Sequence, residues 1–169
     1  EKPGREPPEN SPDNRLIFAV GPLTATRMPS SGRYVVGAIS PLTKSYTRSV
    51  SGGAWGAMLK MAGFDMAIIQ GAAQEWTYLS ITKDGVECKD ASKMVGLLTE
   101  QTEEAIINDL GNPKARAAVI GPAGEKLVRA AAIQTERRSA GRGGLGCVMG
   151  SKKLKGIAVH GKDKPSLHN

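Results

Sequence analysis

Aromatic residues are scarce in this 169-residue chain: two Trp, three Tyr and two Phe, or 4%. That leaves little for base stacking, which argues against a single-stranded nucleic-acid platform. Cysteines number two, Cys88 and Cys147. Their spacing matches no metal-ligand motif, so two reduced thiols are the expectation. Histidines also number two, His160 and His168, both near the end. No acid or nucleophile is arranged around them, which excludes the usual triads. No apolar run approaches the roughly 20 residues of a membrane-spanning helix, and no signal peptide is visible. The chain starts at Glu1 rather than Met, which points to a piece of a longer protein.

What is abundant is glycine, 21 residues, and positive charge, a net +7 with a pI of 9.6. Apolar residues at 40% suit one globular domain with a core of Ile, Val, Leu, Met and Ala. The charge is concentrated. From Lys126 to Lys155 stand Lys126, Arg129, Arg137, Arg138, Arg142, Lys152, Lys153 and Lys155 against a single acid, Glu136. Anionic partners follow from such a balance, whether phosphates, nucleic acid or acidic protein.

Residues 1–14 carry four prolines among charges and read as a linker or irregular segment. Strands are predicted over Arg15–Gly21, Tyr34–Ile39, Tyr46–Ser51 and Met66–Ile69. A hairpin is predicted from Trp76–Thr82 to Val86–Lys89 across Lys83-Asp84-Gly85. Further strands are predicted over Ala117–Ile120, Leu127–Ile133 and Gly156–His160. A helix should open at Gly52-Gly53, with Ser51 as cap, and close near Ala62. A second should run from a Thr99 cap to Leu110. Gly121–Gly124 reads as a sharp turn, residues 137–150 as a Gly- and Arg-rich loop entering a short helix, and residues 163–169 as a polar tail. The order lacks steady strand–helix alternation, so the class is α+β.

Three segments suit an anion. Arg137–Lys155 combines glycines, whose N–H groups approach a ligand unobstructed, with arginines for bidentate recognition. Gly52-Gly53 opens a helix with free N–H groups. Arg33 stands beside Gly32 at a strand start. Gly141, Gly143 and Gly146 satisfy G-x-G-x-x-G, but no buried strand precedes them, against a dinucleotide fold. No catalytic set emerges, which points to chemistry carried by a cofactor. The rival from another class is a basic nucleic-acid-binding module.

Eight segments occur in an order that resembles one family. They are Asn14-Arg-Leu-Ile-Phe-Ala-Val-Gly-Pro-Leu-Thr24, Ser31-Gly-Arg33, Ser40-Pro-Leu-Thr43, Gly52-Gly53, Leu59-Lys-Met-Ala-Gly-Phe-Asp65, Ile120-Gly-Pro-Ala-Gly-Glu125, Ala140-Gly-Arg-Gly-Gly-Leu-Gly146 and Val148-Met-Gly-Ser-Lys-Lys-Leu-Lys155. Together they resemble the N-terminal domain of aldehyde ferredoxin oxidoreductases, over roughly residues 10–162. The resemblance implies a β-rich saddle of two sheets with accessory helices, spanning residues 15–162, that carries a tungsten (or molybdenum) bis-pyranopterin. It implies cofactor contacts from Arg33, Gly52, Arg138, Ser139, Gly141 and Arg142. Magnesium between the cofactor phosphates would be held by the backbone carbonyls of Val50 and Ser139. Val50 stands where the family has Asn, Lys44 where Gly is usual, and Ser139 where Ala is usual.

The implied activity of the whole protein is oxidation of an aldehyde to a carboxylate in the cytoplasm of an anaerobe. Ferredoxin would receive electrons through a [4Fe-4S] cluster bound outside this chain. A homo-oligomer is expected, with no nucleic-acid or membrane partner. A related oxidoreductase acting on another substrate is the alternative, and the piece alone is expected to be inactive.

Overall fold

Residues 9–165 are described in a computed structural model. Residues 1–8 of the expected linker and 166–169 of the expected tail, with His168, lie outside the described residues. In β1 (Leu16–Val20), Leu16 and Phe18 are fully buried while Ile17 and Ala19 are half-buried, the period-two pattern of a strand with one inward face. β1 pairs antiparallel with β2 (Tyr34–Ile39) and with β4 (Met66–Ile69), and β3 (Tyr46–Ser51) pairs with β2. The resulting sheet has the order β3-β2-β1-β4. Asn14 continues the β1–β2 ladder with its side chain. Its Nδ2 donates to Ile39 O at 3.0 Å and its Oδ1 accepts the Ile39 N–H at 3.0 Å. Helix α1 (Trp55–Met61) links β3 to β4.

The second sheet comprises β5 (Thr77–Thr82), β6 (Gly85–Asp90), β7 (Arg116–Val119), β8 (Ile133–Thr135), β9 (Arg138–Ala140) and β10 (Leu154–Val159), in the order β6-β5-β10-β7-β8-β9. β10 runs parallel to β5 and antiparallel to β7. All six residues of β10 are buried, because both faces of this central strand are covered. On one face Ile157 and Val159 join the main core; on the other Ala158 meets Tyr78, Ile106 and Val119 beneath α2 (Thr99–Leu110). A 3-10 turn at Ser92–Met94, a single helical turn, α3 (Pro122–Glu125), and α4 (Leu145–Ser151) complete the described elements. The α+β reading with two sheets and accessory helices holds.

Three of the seven aromatic side chains meet where the sheets join. Trp55 lies 5.2 Å from Phe18 and 4.8 Å from Tyr34, centroid to centroid. Trp55 Nε1 donates to Ile157 O at 2.8 Å, and the Tyr34 hydroxyl shares a 2.5 Å hydrogen bond with Thr135 Oγ1. The buried rings thus find polar partners on the opposite sheet. Burial pushes the Tyr34 phenol pKa up, opposed by the Thr135 hydrogen bond.

Several expectations are corrected. Leu127–Ile133 is no strand. Leu127 has φ 55°, and the Leu127, Val128 and Ala131 N–H groups bond to Gly124, Ala123 and Val128 carbonyls. The chain winds onward from α3, and only Ile133–Thr135 reaches the sheet; an apolar run cannot by itself tell strand from buried turn. Thr99 is not the cap of α2. Leu98 holds that position, with its N–H bonded to Gln101 Oε1 at 3.0 Å, while the Thr99 hydroxyl bonds Gln134. Ser51 does not cap α1, whose cap residue is Ala54. Part of the expected 137–150 loop is strand β9. Both cysteines are free, as expected, Cys88 exposed and Cys147 buried.

The basic stretch is also less exposed than its composition implies. Lys152 is 2% exposed, with Nζ donating to Pro12 O at 2.9 Å and Gly71 O at 3.0 Å. Lys155 is fully buried against Glu125, and Lys153 bonds Gln74 O. Three of the eight cations are thus engaged within the fold, which weakens the nucleic-acid reading.

Burial lowers the Lys152 pKa, opposed by Asp13. Between that lowered value and about 10.4 the unfolded chain binds more protons than the folded one, so this group makes stability rise with pH. Lys152→Met should abolish that rise. Denaturant midpoints of wild type and variant that move in parallel from pH 7 to 10 would contradict it.

Candidate functional site

β3 and β9 are edge strands of different sheets, and they pack against each other. Along this seam lies an open groove of about 650 Å³, lined by Arg48, Ser49, Val50, Ser139, Gly141 and Arg142. Two cations and no acid line it. Strand alternation explains part of the lining: Arg48 and Val50 share the exposed face of β3, while Ser49 and Ser51 face inward. The inward Ser49 remains useful, because its Oγ accepts the Arg142 N–H at 3.1 Å and pins the loop after β9 onto β3. One residue on, Ser40 Oγ donates to Gly143 O at 2.8 Å.

Four of the seven residues singled out by sequence line this groove: Val50, Ser139, Gly141 and Arg142. Two more adjoin it. Arg138 lays its side chain over Gly52, so a Cβ on Gly52 would stand 3.1 Å from Arg138 Cδ. Arg33 is exposed and lies one residue beyond the Tyr34–Ser51 pair. Gly32 approaches Gly53 O (a Cβ on Gly32 would lie 3.6 Å away), so the β2–β3 register carries Arg33 alongside Gly52. Arg33, Arg48, Arg138 and Arg142 form no ion pair among the described residues. Four unpaired guanidinium groups near one groove would suit a polyanion.

Arg48, Ser49, Glu136 and Arg116 escaped sequence reading. Arg48 was within reach, since it sits two residues from Val50 and shares its face. Glu136 was not. Its Oε2 accepts the Ala54 N–H at the start of α1, and its Oε1 accepts from Arg116 Nε at 3.1 Å. The Gly52-Gly53 helix start therefore holds an internal carboxylate on the Ala54 N–H, instead of offering that donor to a ligand.

The glycine-rich segment divides in the same manner. A Cβ on Gly143 would strike Thr47, on Gly144 the Arg129 carbonyl, and on Gly150 the Gly124 carbonyl. Gly146 would meet Ala132 O at 2.5 Å, and its N–H is bonded to Ala131 O. These glycines permit close packing of the chain on itself. Gly141 alone of the G-x-G-x-x-G set is open to the groove, and the α4 start is covered by protein carbonyls, which removes the dinucleotide reading. Glu125, on the Ile120–Glu125 segment, is structural too, being paired with Lys155.

Residues 3–161 match the family described as aldehyde ferredoxin oxidoreductase, N-terminal domain. A tungsten-containing aldehyde ferredoxin oxidoreductase of Pyrococcus abyssi is 51% identical over 152 residues, covering 89% of this chain and 25% of that protein. An aliphatic sulfonate oxidoreductase WOR-like subunit of Pyrococcus furiosus is 40% identical over 162 residues, covering 88% and 26%. Among solved structures, the BamBC active site complex of benzoyl coenzyme A reductase, in complex with 1,5-dienoyl-CoA, superposes with a TM-score of 0.90. It is 44% identical and covers 92% of this chain and 24% of that one. The chain spans about a quarter of the length of these relatives. With its two-sheet fold and the motif order that runs through it, the chain belongs to the aldehyde ferredoxin oxidoreductase family and corresponds to its N-terminal domain.

Proposed function

We propose that this chain is the cofactor-binding portion of a longer tungsten-dependent oxidoreductase that oxidises aldehydes to carboxylates with ferredoxin as acceptor. The observation that carries the reading is the acid-free groove at the β3–β9 seam, bordered by Arg33, Arg48, Arg138 and Arg142. A bis-pyranopterin bears phosphates and a polar heterocyclic edge, and exposed guanidinium groups beside open backbone suit both. Arg33 and Arg138 would neutralise phosphate from the two sides of Gly52. Arg142, Ser139 and Gly141 would border the pterin on the β9 side. Val50 and Ser139 would offer carbonyls to magnesium. Val50, lacking the family's Asn amide, would contribute its backbone alone. The tungsten centre would supply the two-electron redox change that no side chain in this groove offers.

The [4Fe-4S] cluster, the substrate pocket and the ferredoxin contact would belong to parts of the protein beyond these residues. A cytoplasmic location and a homo-oligomer belong to the same proposal. A second reading, the same cofactor with a different substrate, is favoured by the sulfonate oxidoreductase and benzoyl coenzyme A reductase relatives.

Metal analysis of the full-length protein, purified anaerobically from tungstate-supplied cells, tests the proposal. Stoichiometric tungsten or molybdenum together with iron is expected. Folded protein containing neither tungsten nor molybdenum would overturn it.

A further inference from the structure

Glu136 occupies an unusual position. It forms, with Arg137, the two-residue turn between β8 and β9, and both residues have positive φ, 46° and 63°. Such a turn favours Asn-Gly. Glu and Arg adopt it only where the surroundings over-determine the backbone, and such strain concentrates at functional sites.

The surroundings here converge on Glu136. Its N–H donates to Glu103 Oε2 at 3.2 Å, its Oε1 accepts from Arg116 at 3.1 Å, and its Oε2 accepts the Ala54 N–H. Gly53 has φ 93° and lies so close that a Cβ would collide with Oε2. Two residues along, Arg138 covers Gly52. One carboxylate thus joins the hairpin that bears Arg138 and Ser139 to the segment that bears Gly52. Among the described residues, no other side chain bonds the Ala54 N–H.

We propose that Glu136 is a positioning residue for the groove. Its carboxylate holds the β8–β9 turn against the start of α1, and so keeps the Arg138 guanidinium over Gly52, where it meets cofactor phosphate. Glu136 does not itself touch the anion; like charge would oppose that. The inference rests on the cofactor-binding reading above. Arg116 serves as the internal comparison. It contacts the same carboxylate from behind, and it also donates to the Pro113 and Ala115 carbonyls at 3.1 and 2.7 Å, away from the groove lining. Losing it weakens the fold but leaves the Glu136–Ala54 link.

The test uses the full-length protein, with pterin and tungsten measured per folded polypeptide alongside Tm. Wild type, Glu136→Ala, Glu136→Leu and Arg116→Met are compared. Glu136→Ala is expected to lose pterin at least tenfold. Arg116→Met is expected to lower Tm while retaining most of its pterin. If Glu136→Ala does not fold, Glu136→Leu replaces it, because it fills similar space and accepts no hydrogen bond. Loading of the Glu136 variant below that of Arg116→Met supports the proposal. Loading equal to it, whether both are full or both fall, overturns it. A wild type that holds neither pterin nor tungsten would instead refute the cofactor reading, a distinguishable result.

Discussion

Glu125→Ala is expected to destabilise the domain by about 3–5 kcal/mol, the usual cost of leaving a buried charge without its partner. The Lys155 side chain is 0% exposed and that of Glu125 8%. Lys155 Nζ also donates to Leu97 O at 3.1 Å, while the Glu125 carboxylate accepts the Gly96 N–H at 3.1 and 3.0 Å. The pair therefore anchors the 96–97 loop to α3 and β10 together. Removing the carboxylate strands an ammonium in the interior beside one carbonyl. Replacing both partners, as in Glu125→Leu with Lys155→Met, should recover much of the loss, because two apolar groups have no charge to desolvate. Urea unfolding of wild type, the single variant and the double variant decides the matter. A single-variant loss below about 1 kcal/mol would show that the pair is better solvated than its burial implies.

Arg138→Ala in the full-length protein is expected to weaken cofactor retention by about 1.5–3 kcal/mol, or roughly 10- to 150-fold. Arg138 is exposed, forms no ion pair among the described residues, and lies over Gly52. Truncation should therefore disturb binding and leave folding unchanged. Arg138→Lys should recover part of the loss, since a lysine keeps the charge but not the planar fork. Arg33→Ala should act in the same direction from the other side of Gly52. The measurement is tungsten and pterin content after gel filtration, with Tm as the control. Unchanged content in both alanine variants would remove these arginines from the site.

Much of this architecture was legible from local pattern. β2, β3 and β4 have the expected bounds, Tyr34–Ile39, Tyr46–Ser51 and Met66–Ile69. The Lys83-Asp84-Gly85 signal placed the β5–β6 hairpin, and Gly111 ends α2 in the left-handed region, φ 60°. Such features depend on residues within a few positions of one another, so one dimension of information suffices. Five of the seven candidate site residues were already marked by residue type in three segments; Ser139 and Val50 entered only through family resemblance.

Tertiary structure decided which of those signals meant what. Lys152, Lys155 and Arg142 are indistinguishable as charges in a basic run, yet two are buried and one borders the groove. Gly141 and Gly144 belong to one glycine-rich motif, yet one is open and the other packs on the Arg129 carbonyl. Glu136, a lone acid in that run, links residues 82 positions apart. The chain's own pattern determined most of its strands, its class and its family, because these follow from periodicity and motif order. The groove itself arises where the edges of two sheets meet. That meeting depends on the packing of Phe18, Tyr34 and Trp55 between the sheets, a contact among distant residues that no local period encodes.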